Sequence, residues 1–319
     1  MQTYLKTKPV WMQLLLFFGM AFGILMVLSL IGGIVLSKIT GISLLEMGDV
    51  NKWEHNAQTL TMIRGMLLLQ FLGLFLIPSL LFAYFSDPHP GAYLGLKRPS
   101  NAVYWLIGVA ALLVAVPIVE YTGVLNRELA FNSDTKKWME TMEEDAAKTI
   151  QFMLQGRTVT NLVLNLIFIA VFAGVGEELF FRGVLQRLFI RSTRSPWAGI
   201  ILAAFFFSFF HFQFFGFIPR FLLGILLGAM YWYSGSLWVA IVAHVVYDAF
   251  FITYAYFHPA LIADPNASLI DKNYLLIGTL ISAAMVGLMV WWMRKASSAG
   301  YQTVYAGDDA LKAQNDSPF

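Results

Sequence analysis

GVGEELFFRG, residues 174–183, is the stretch on which the reading of the chain turns. An apolar run leads into it from Leu162 and resumes at Leu179, Phe180 and Phe181. Inside it stand two adjacent glutamates and an arginine, Glu177, Glu178 and Arg182. If the run crosses a bilayer, each of these groups costs about 2.5–3.5 kcal/mol or more at the membrane centre. Ionisable groups persist at that depth where they face a protein interior or a wet cavity, and they mark functional sites by default.

Composition supports the membrane setting. The chain has 319 residues, of which 58% are hydrophobic and 13% charged, whereas about 25% charged is usual in soluble domains. There is no cysteine, which excludes a disulfide framework and thiolate catalysis. A net charge of +2, with no basic tract interleaved with aromatics, gives no sign of a nucleic-acid partner. Near the N-terminus, Lys6 and Lys8 precede an apolar run over 10–36. It is too long for the apolar region of a signal peptide and long enough to span with tilt.

Working outward, apolar segments of spanning length fall at about 10–36, 62–85, 102–122, 160–190, 197–217, 219–234, 236–257 and 274–293. The expected fold is therefore an all-α membrane protein of about eight transmembrane helices around a polar intramembrane cavity. Residues 1–122 form an N-terminal three-helix membrane region, and 123–159 an amphipathic extramembrane segment. Residues 160–257 form the core that carries the chemistry, 258–295 a loop and the last transmembrane helix, and 296–319 a polar, mobile tail. Within 123–159, Ser133 and Asp134 offer helix starts. Trp138, Met142, Ile150 and Met153 recur at helical spacing opposite Lys137, Glu140, Glu144 and Lys148, as in a helix lying on a membrane surface or packed on a loop. Gly216–Pro219 reads as a tight break, and Gly224 with Gly228 as a small-xxx-small contact. An even number of spans puts both termini on one side. Lys6, Lys8, Lys97, Arg98, Arg187, Arg191, Arg194, Arg294 and Lys295 share that side, which the positive-inside rule makes cytoplasmic.

Six ionisable groups lie well inside predicted spans: Glu177, Glu178, Arg182, His211, His244 and Asp248. At about 100° per residue, Glu178 and Arg182 sit about 40° apart on one helix and can pair, whereas Glu177 is about 140° from Arg182 and faces elsewhere. His244 and Asp248 share a helix face in the same way. His211 stands at the end of FFFSFFH in an otherwise apolar helix. Three helices each carrying polar groups point to one shared cavity. His55, His89 and His258 fall in loops or at helix ends and are expected to be solvated. Asn165 and Gln186 suit interhelical hydrogen bonding. Ser208 has no base at a convincing spacing. A glutamate and a histidine can polarise a water for attack on a carbonyl, and a second histidine with a neighbouring polar group can stabilise the oxyanion. Two histidines with carboxylates could also hold zinc, although HExxH is absent.

Three motifs occur in order: EExxxR at Glu177, Glu178 and Arg182; FxxxH at Phe207 and His211; and HxxxN/D at His244 and Asp248. Together with GSLWVAIVAH before the second histidine, residues 160–256 resemble the CPBP family, the CAAX prenyl-protease and bacteriocin-processing membrane proteins related to the Rce1-type proteases. The resemblance implies a glutamate-dependent intramembrane endopeptidase without a catalytic metal. Glu177 and His211 would activate the water, and His244 with Asp248 would form the oxyanion pocket. Glu178, Arg182 and Phe207 would support the site. The eukaryotic prenyl proteases carry asparagine where this chain has Asp248, so Asp248 either is protonated or orients His244. The expected partners are a peptide or protein substrate and the lipid bilayer. No cofactor is expected; zinc is possible and not favoured. The rival readings are a zinc-dependent membrane protease, a non-catalytic scaffold or immunity-type protein, and a proton-coupled transporter.

Overall fold

A computed structural model describes residues 3–129, 132–258 and 269–316. Among the described residues, seven helices are long and apolar enough to cross a membrane and one shorter apolar helix joins them. In chain order these are α1 (Val10–Thr40), α2 (Ala57–Ser86), α3 (Val103–Arg127), α5 (Val159–Thr193), the shorter α6 (Pro196–Phe209), α7 (Phe217–Ser234), α8 (Leu237–Phe257) and α9 (Lys272–Ala296). Among the described residues, two further long helices lie outside the spans: α4 (Ser133–Leu154) and α10 (Tyr301–Asp316). Most of the loop expected before the last span, 259–268, lies outside the described residues.

Local chemistry sets the helix ends. Asn56, Asn132, Thr158, Ser195 and Asp271 accept hydrogen bonds from backbone N–H groups in the first turns of α2, α4, α5, α6 and α9. The cap of α4 is thus Asn132, one residue before the expected Ser133. Gly41 and Gly235, both left-handed, close α1 and α7. Pro117 lacks an N–H to donate back along the helix, and α3 breaks at Ala115 just before it.

The apolar side chains form two cores side by side. Phe17, Phe75, Phe82, Phe180, Phe181, Leu185 and Phe207 hold α1, α2, α5 and α6 together. Leu112, Leu226, Met230, Val239, Ala243 and Met293 hold α3, α7, α8 and α9 together. A third cluster, Met47, Met62, Ile63, Phe152 and Met153, seats the end of α4 on α2. Outward-facing residues such as Leu15, Met26 and Leu30 on α1, or Leu276, Leu280 and Leu288 on α9, stay exposed, as required of surfaces that meet lipid.

Three expectations change. Helix α6 was expected over 197–217 but stops at Phe209. At 1.5 Å per residue its 14 residues reach only about 21 Å, short of a hydrocarbon core of about 30 Å. The chain then turns through Phe212, whose φ of 53° is left-handed. Irregular backbone at such depth is tolerated where it lines a cavity, which is what residues 211 and 213 do. The buried face of α4 is Met139, Phe152 and Met153, not the full expected stripe. Trp138 is exposed apart from its contact with Phe214, at 5.1 Å between ring centroids, and Ile150 is exposed because it faces a groove. The expected mobile tail is helical over Tyr301–Asp316, and α10 folds back on the bundle. There Asp308 lies 3.0 Å from Lys6, 3.4 Å from Arg187 and 3.8 Å from Arg191. Lys6 also pairs with Asp87 at 2.5 Å. The two ends of the chain therefore meet at one end of the bundle.

Candidate active site

Helix α5 is the spine of the site. Its ladder widens into π-helical turns over Leu166–Val171 and Glu178–Gln186, a distortion that often accompanies functional sites. Gly174 lets α5 lie directly on α8: a Cβ there would meet the Val245 side chain at 2.5 Å and its backbone nitrogen at 3.0 Å. That close approach carries Glu177 and Glu178 to the level of His244 and Asp248.

Glu178 and Arg182 are both fully buried, and Arg182 Nη1 donates to Glu178 Oε1 at 2.7 Å. Nη2 of the same arginine donates to the Gly224 carbonyl at 3.1 Å, and its guanidinium lies 4.3 Å from the centre of the Phe207 ring. Gly224 itself packs against Ala204, and Gly228 against Ile200 and Gln186, so the small-xxx-small spacing of α7 does bring α6 close. The glutamate–arginine pair thus ties α5 to α7 and, through Phe207, to α6.

His244 extends this network. Its Nδ1 is 2.9 Å from Glu178 Oε1, and its Nε2 is 3.5 Å from Asp248 Oδ2. Glu178 Oε1 already accepts from Arg182, so it acts as an acceptor here, and Nδ1 carries the hydrogen and donates. Phe207 stands edge-on to both histidine rings, with centroids 5.0 Å from His211 and 6.1 Å from His244.

Glu177 takes no part in that pairing. His211 stands beside it, with Nε2 4.0 Å from Glu177 Oε1. The other ring nitrogen of His211, Nδ1, is 2.7 Å from the Phe207 carbonyl. A carbonyl only accepts, so Nδ1 holds the hydrogen, and in the neutral form of the ring the lone pair of Nε2 faces Glu177.

Two cavities meet at this point. The smaller, about 190 Å³, is lined by Glu177, His211, His244 and Asp248 together with Arg220 and apolar side chains of α3, α5 and α7. The larger, about 420 Å³, runs between α2, α5 and the α4 face bearing Ile150 and Met153. Ile169, Ala173, Glu177 and His211 line both. All four expected chemistry-bearing residues therefore reach one chamber, with Phe207 in its wall and Glu178 and Arg182 behind them. Among the described residues, no group of three His, Asp or Glu side chains is placed to hold a metal ion.

His55, His89 and His258 are exposed. Asn165 accepts from Arg64 and donates to the Met153 carbonyl, and Gln186 donates to the Gly228 carbonyl, so both join helices. Ser208 donates to the Phe217 carbonyl. Sequence reasoning passed over Arg220 and Gln213. The signal was a charge four residues beyond Gly216 at the head of an apolar run, hidden by reading 216–219 only as a break.

No curated protein and no solved structure matches the chain. A family model does, over residues 159–250, and its description is type II CAAX prenyl endopeptidase Rce1-like. That interval runs from the start of α5 into α8 and contains all seven site residues. Over the helices that build this chamber the chain is therefore similar to the Rce1-like membrane endopeptidases.

Proposed function

We propose that the protein is an intramembrane endopeptidase that hydrolyses a peptide bond with a water activated by Glu177 and His211, without a metal. The observation that carries this reading is the placement of Glu177 Oε1 4.0 Å from His211 Nε2, at the junction of two cavities in an Rce1-like core. Of the two adjacent glutamates, Glu177 is the one left outside the Glu178–Arg182 pair and so free to take a proton. A water held by Glu177 and the Nε2 lone pair of His211 gives up that proton as its oxygen attacks the substrate carbonyl carbon. The electron pair of the C=O bond moves onto oxygen, and that oxyanion is met from the side of His244 and Asp248. When the C–N bond breaks, Glu177 returns the proton to the leaving nitrogen, and the products are one carboxyl and one amine terminus. Held between Glu178 and Asp248, His244 offers an Nε2–H only as the imidazolium; otherwise the donor is Asp248 in its protonated form.

The test is Glu177→Gln, assayed with a peptide library read by mass spectrometry. The wild type is expected to cut and the variant to be slower by about 10³-fold or more; unchanged cleavage by the variant would overturn the reading. A wild type that cuts nothing would favour a scaffold or immunity-type protein. Cleavage is expected to survive exhaustive chelation, and loss restored by zinc would argue for a metalloprotease.

We further propose that the end of the bundle holding both termini faces the cytoplasm, on the basis of its Lys and Arg content. Since the chain has no cysteine, Ser298→Cys and Glu144→Cys can be labelled singly in intact cells with an impermeant maleimide. Only the second is expected to react.

A further inference from the structure

Arg220 is a membrane-depth cation that the proposed hydrolysis does not use. It lies in the first turn of α7 and lines the smaller cavity with Glu177, His211, His244 and Asp248. Among the described residues, no carboxylate comes within 4.0 Å of it. Arg182, Arg187 and Arg191, by contrast, each have one. The charges that act on it from further away are Glu143 of α4 and Glu177.

The surroundings hold this guanidinium in place without neutralising it. Nη1 donates to Gln213 Oε1 at 2.8 Å, and Nη2 donates to the Gln213 carbonyl. Gly216 leaves the room: a Cβ there would stand 2.9 Å from the guanidinium carbon. Two of the five N–H donors are thus used, and Nε is buried without a hydrogen bond. If the task were only to hold the loop between α6 and α7, a neutral side chain would do it more cheaply at this depth.

Cavity size narrows what the arginine can meet. A cavity of about 150 Å³ accommodates a benzene ring, so the smaller chamber, at about 190 Å³, takes about one residue of a peptide. The larger, at about 420 Å³ and lined by Leu67, Phe71, Phe75 and Phe168, takes a longer apolar stretch. A peptide laid across Glu177 and His211 places its short side beside Arg220.

We propose that Arg220 binds a carboxylate of the substrate on the short side of the scissile bond and so sets which peptides are cut. The carboxylate is an Asp or Glu side chain or a free C-terminus; the chemistry recognised is the same, a planar anion on a forked cation. This rests on the proteolytic reading above, and the experiment separates the two.

The probe is a library of internally quenched peptides, each sequence made with a free or an amidated C-terminus and with Asp/Glu or Asn/Gln inside. For the best-cut peptide, removing the carboxylate is expected to lower kcat/KM by about 10–100-fold in the wild type, mainly through KM. Arg220→Gln is expected to show that same loss on the acidic peptide and no further loss on the neutral one. Arg220→Lys, which keeps the charge and loses the fork, should retain part of the preference. It also decides the matter should Arg220→Gln fold poorly, as judged by melting temperature. Which of the two neutral forms abolishes the preference names the source of the carboxylate.

Independent losses from the enzyme and the peptide changes, or no preference for either acid, would overturn the role of Arg220 while Glu177-dependent cleavage still stood. Binding of the same peptides to Glu177→Gln gives the converse. If acid forms bind more tightly in an Arg220-dependent way but the wild type cuts nothing, the carboxylate site stands and proteolysis falls. Neither cleavage nor carboxylate-dependent binding would overturn both.

Discussion

At the scale of single residues, the Glu178–Arg182 pair is the feature on which the others lean. Both side chains are fully buried, and removing one partner of such a pair strands the other charge at a cost of about 3–5 kcal/mol. Arg182→Ala is therefore expected to lower folded yield and melting temperature as well as activity, and Arg182→Ala with Glu178→Gln to recover part of the yield. Normal yield and normal cleavage from the single variant would contradict the pairing. Asp248 stands 3.5 Å from His244 Nε2. Asp248→Asn keeps a side chain able to donate to an oxyanion and is expected to hold kcat within about tenfold. Asp248→Ala removes the group and should cost about 10²–10³-fold, the range for one oxyanion donor; complete loss in the asparagine variant would make Asp248 an orienting carboxylate. Much of this was legible in the sequence, because Glu178 with Arg182 and His244 with Asp248 sit at the i,i+4 spacing that places side chains together on a helix. The contact of His244 with Glu178 was not, since it joins residues 66 apart in the chain and depends on the approach allowed at Gly174. Nor was Arg220, whose meaning depends on which loop folds over it.

At the scale of elements, hydropathy located the seven long helices to within about five residues, because burial in lipid demands long apolar helices. What it could not foresee was where an apolar run stops being helical. Phe210 and Phe212 read as more helix, yet the chain turns there and leaves His211 on a loop. Polar composition likewise suggested that the end of the chain is mobile, whereas buried Tyr305 and Asp308 dock α10 on the bundle. Three cations, Lys6, Arg187 and Arg191, share Asp308 as an acceptor. Asp308→Asn is expected to destabilise the protein by about 3 kcal/mol, the low end for a broken buried pair, since Lys6 keeps Asp87 as a second partner. Thermal melting in detergent measures this; an unchanged midpoint would mean that α10 contributes nothing to holding the ends together.

At the scale of the whole molecule, the join between the termini carries a pH dependence that can be signed. Partial burial would raise the Asp87 carboxyl, but hydrogen bonds from the Lys6 ammonium and the His89 backbone N–H outweigh it and hold the group below the ordinary carboxylate value of 3.8. A group lowered on folding contributes stability above its unfolded pKa and loses it as pH falls through the folded value. Melting temperature should therefore be indifferent to this group from about pH 8 to 5 and fall below about pH 4. In Asp87→Asn that acid limb should shrink; the same limb in both proteins would assign it elsewhere. The two apolar cores, with the polar seam between them, explain why so many charges survive inside a chain of this composition. Each is held by a partner or opens on the chamber.

The truncated reach of α6 has a further consequence for the lipid around the protein. A segment about 21 Å long beside full-length neighbours would draw the adjoining leaflet inward and bring headgroups and solvent toward His211 on that flank. The proposed hydrolysis consumes one solvent molecule per bond broken, and such a dimple would shorten its supply route. Turnover in liposomes should then decline as acyl chains lengthen from about 14 to 22 carbons while peptide affinity barely changes; rates independent of chain length would show that hydration reaches the chamber by another road.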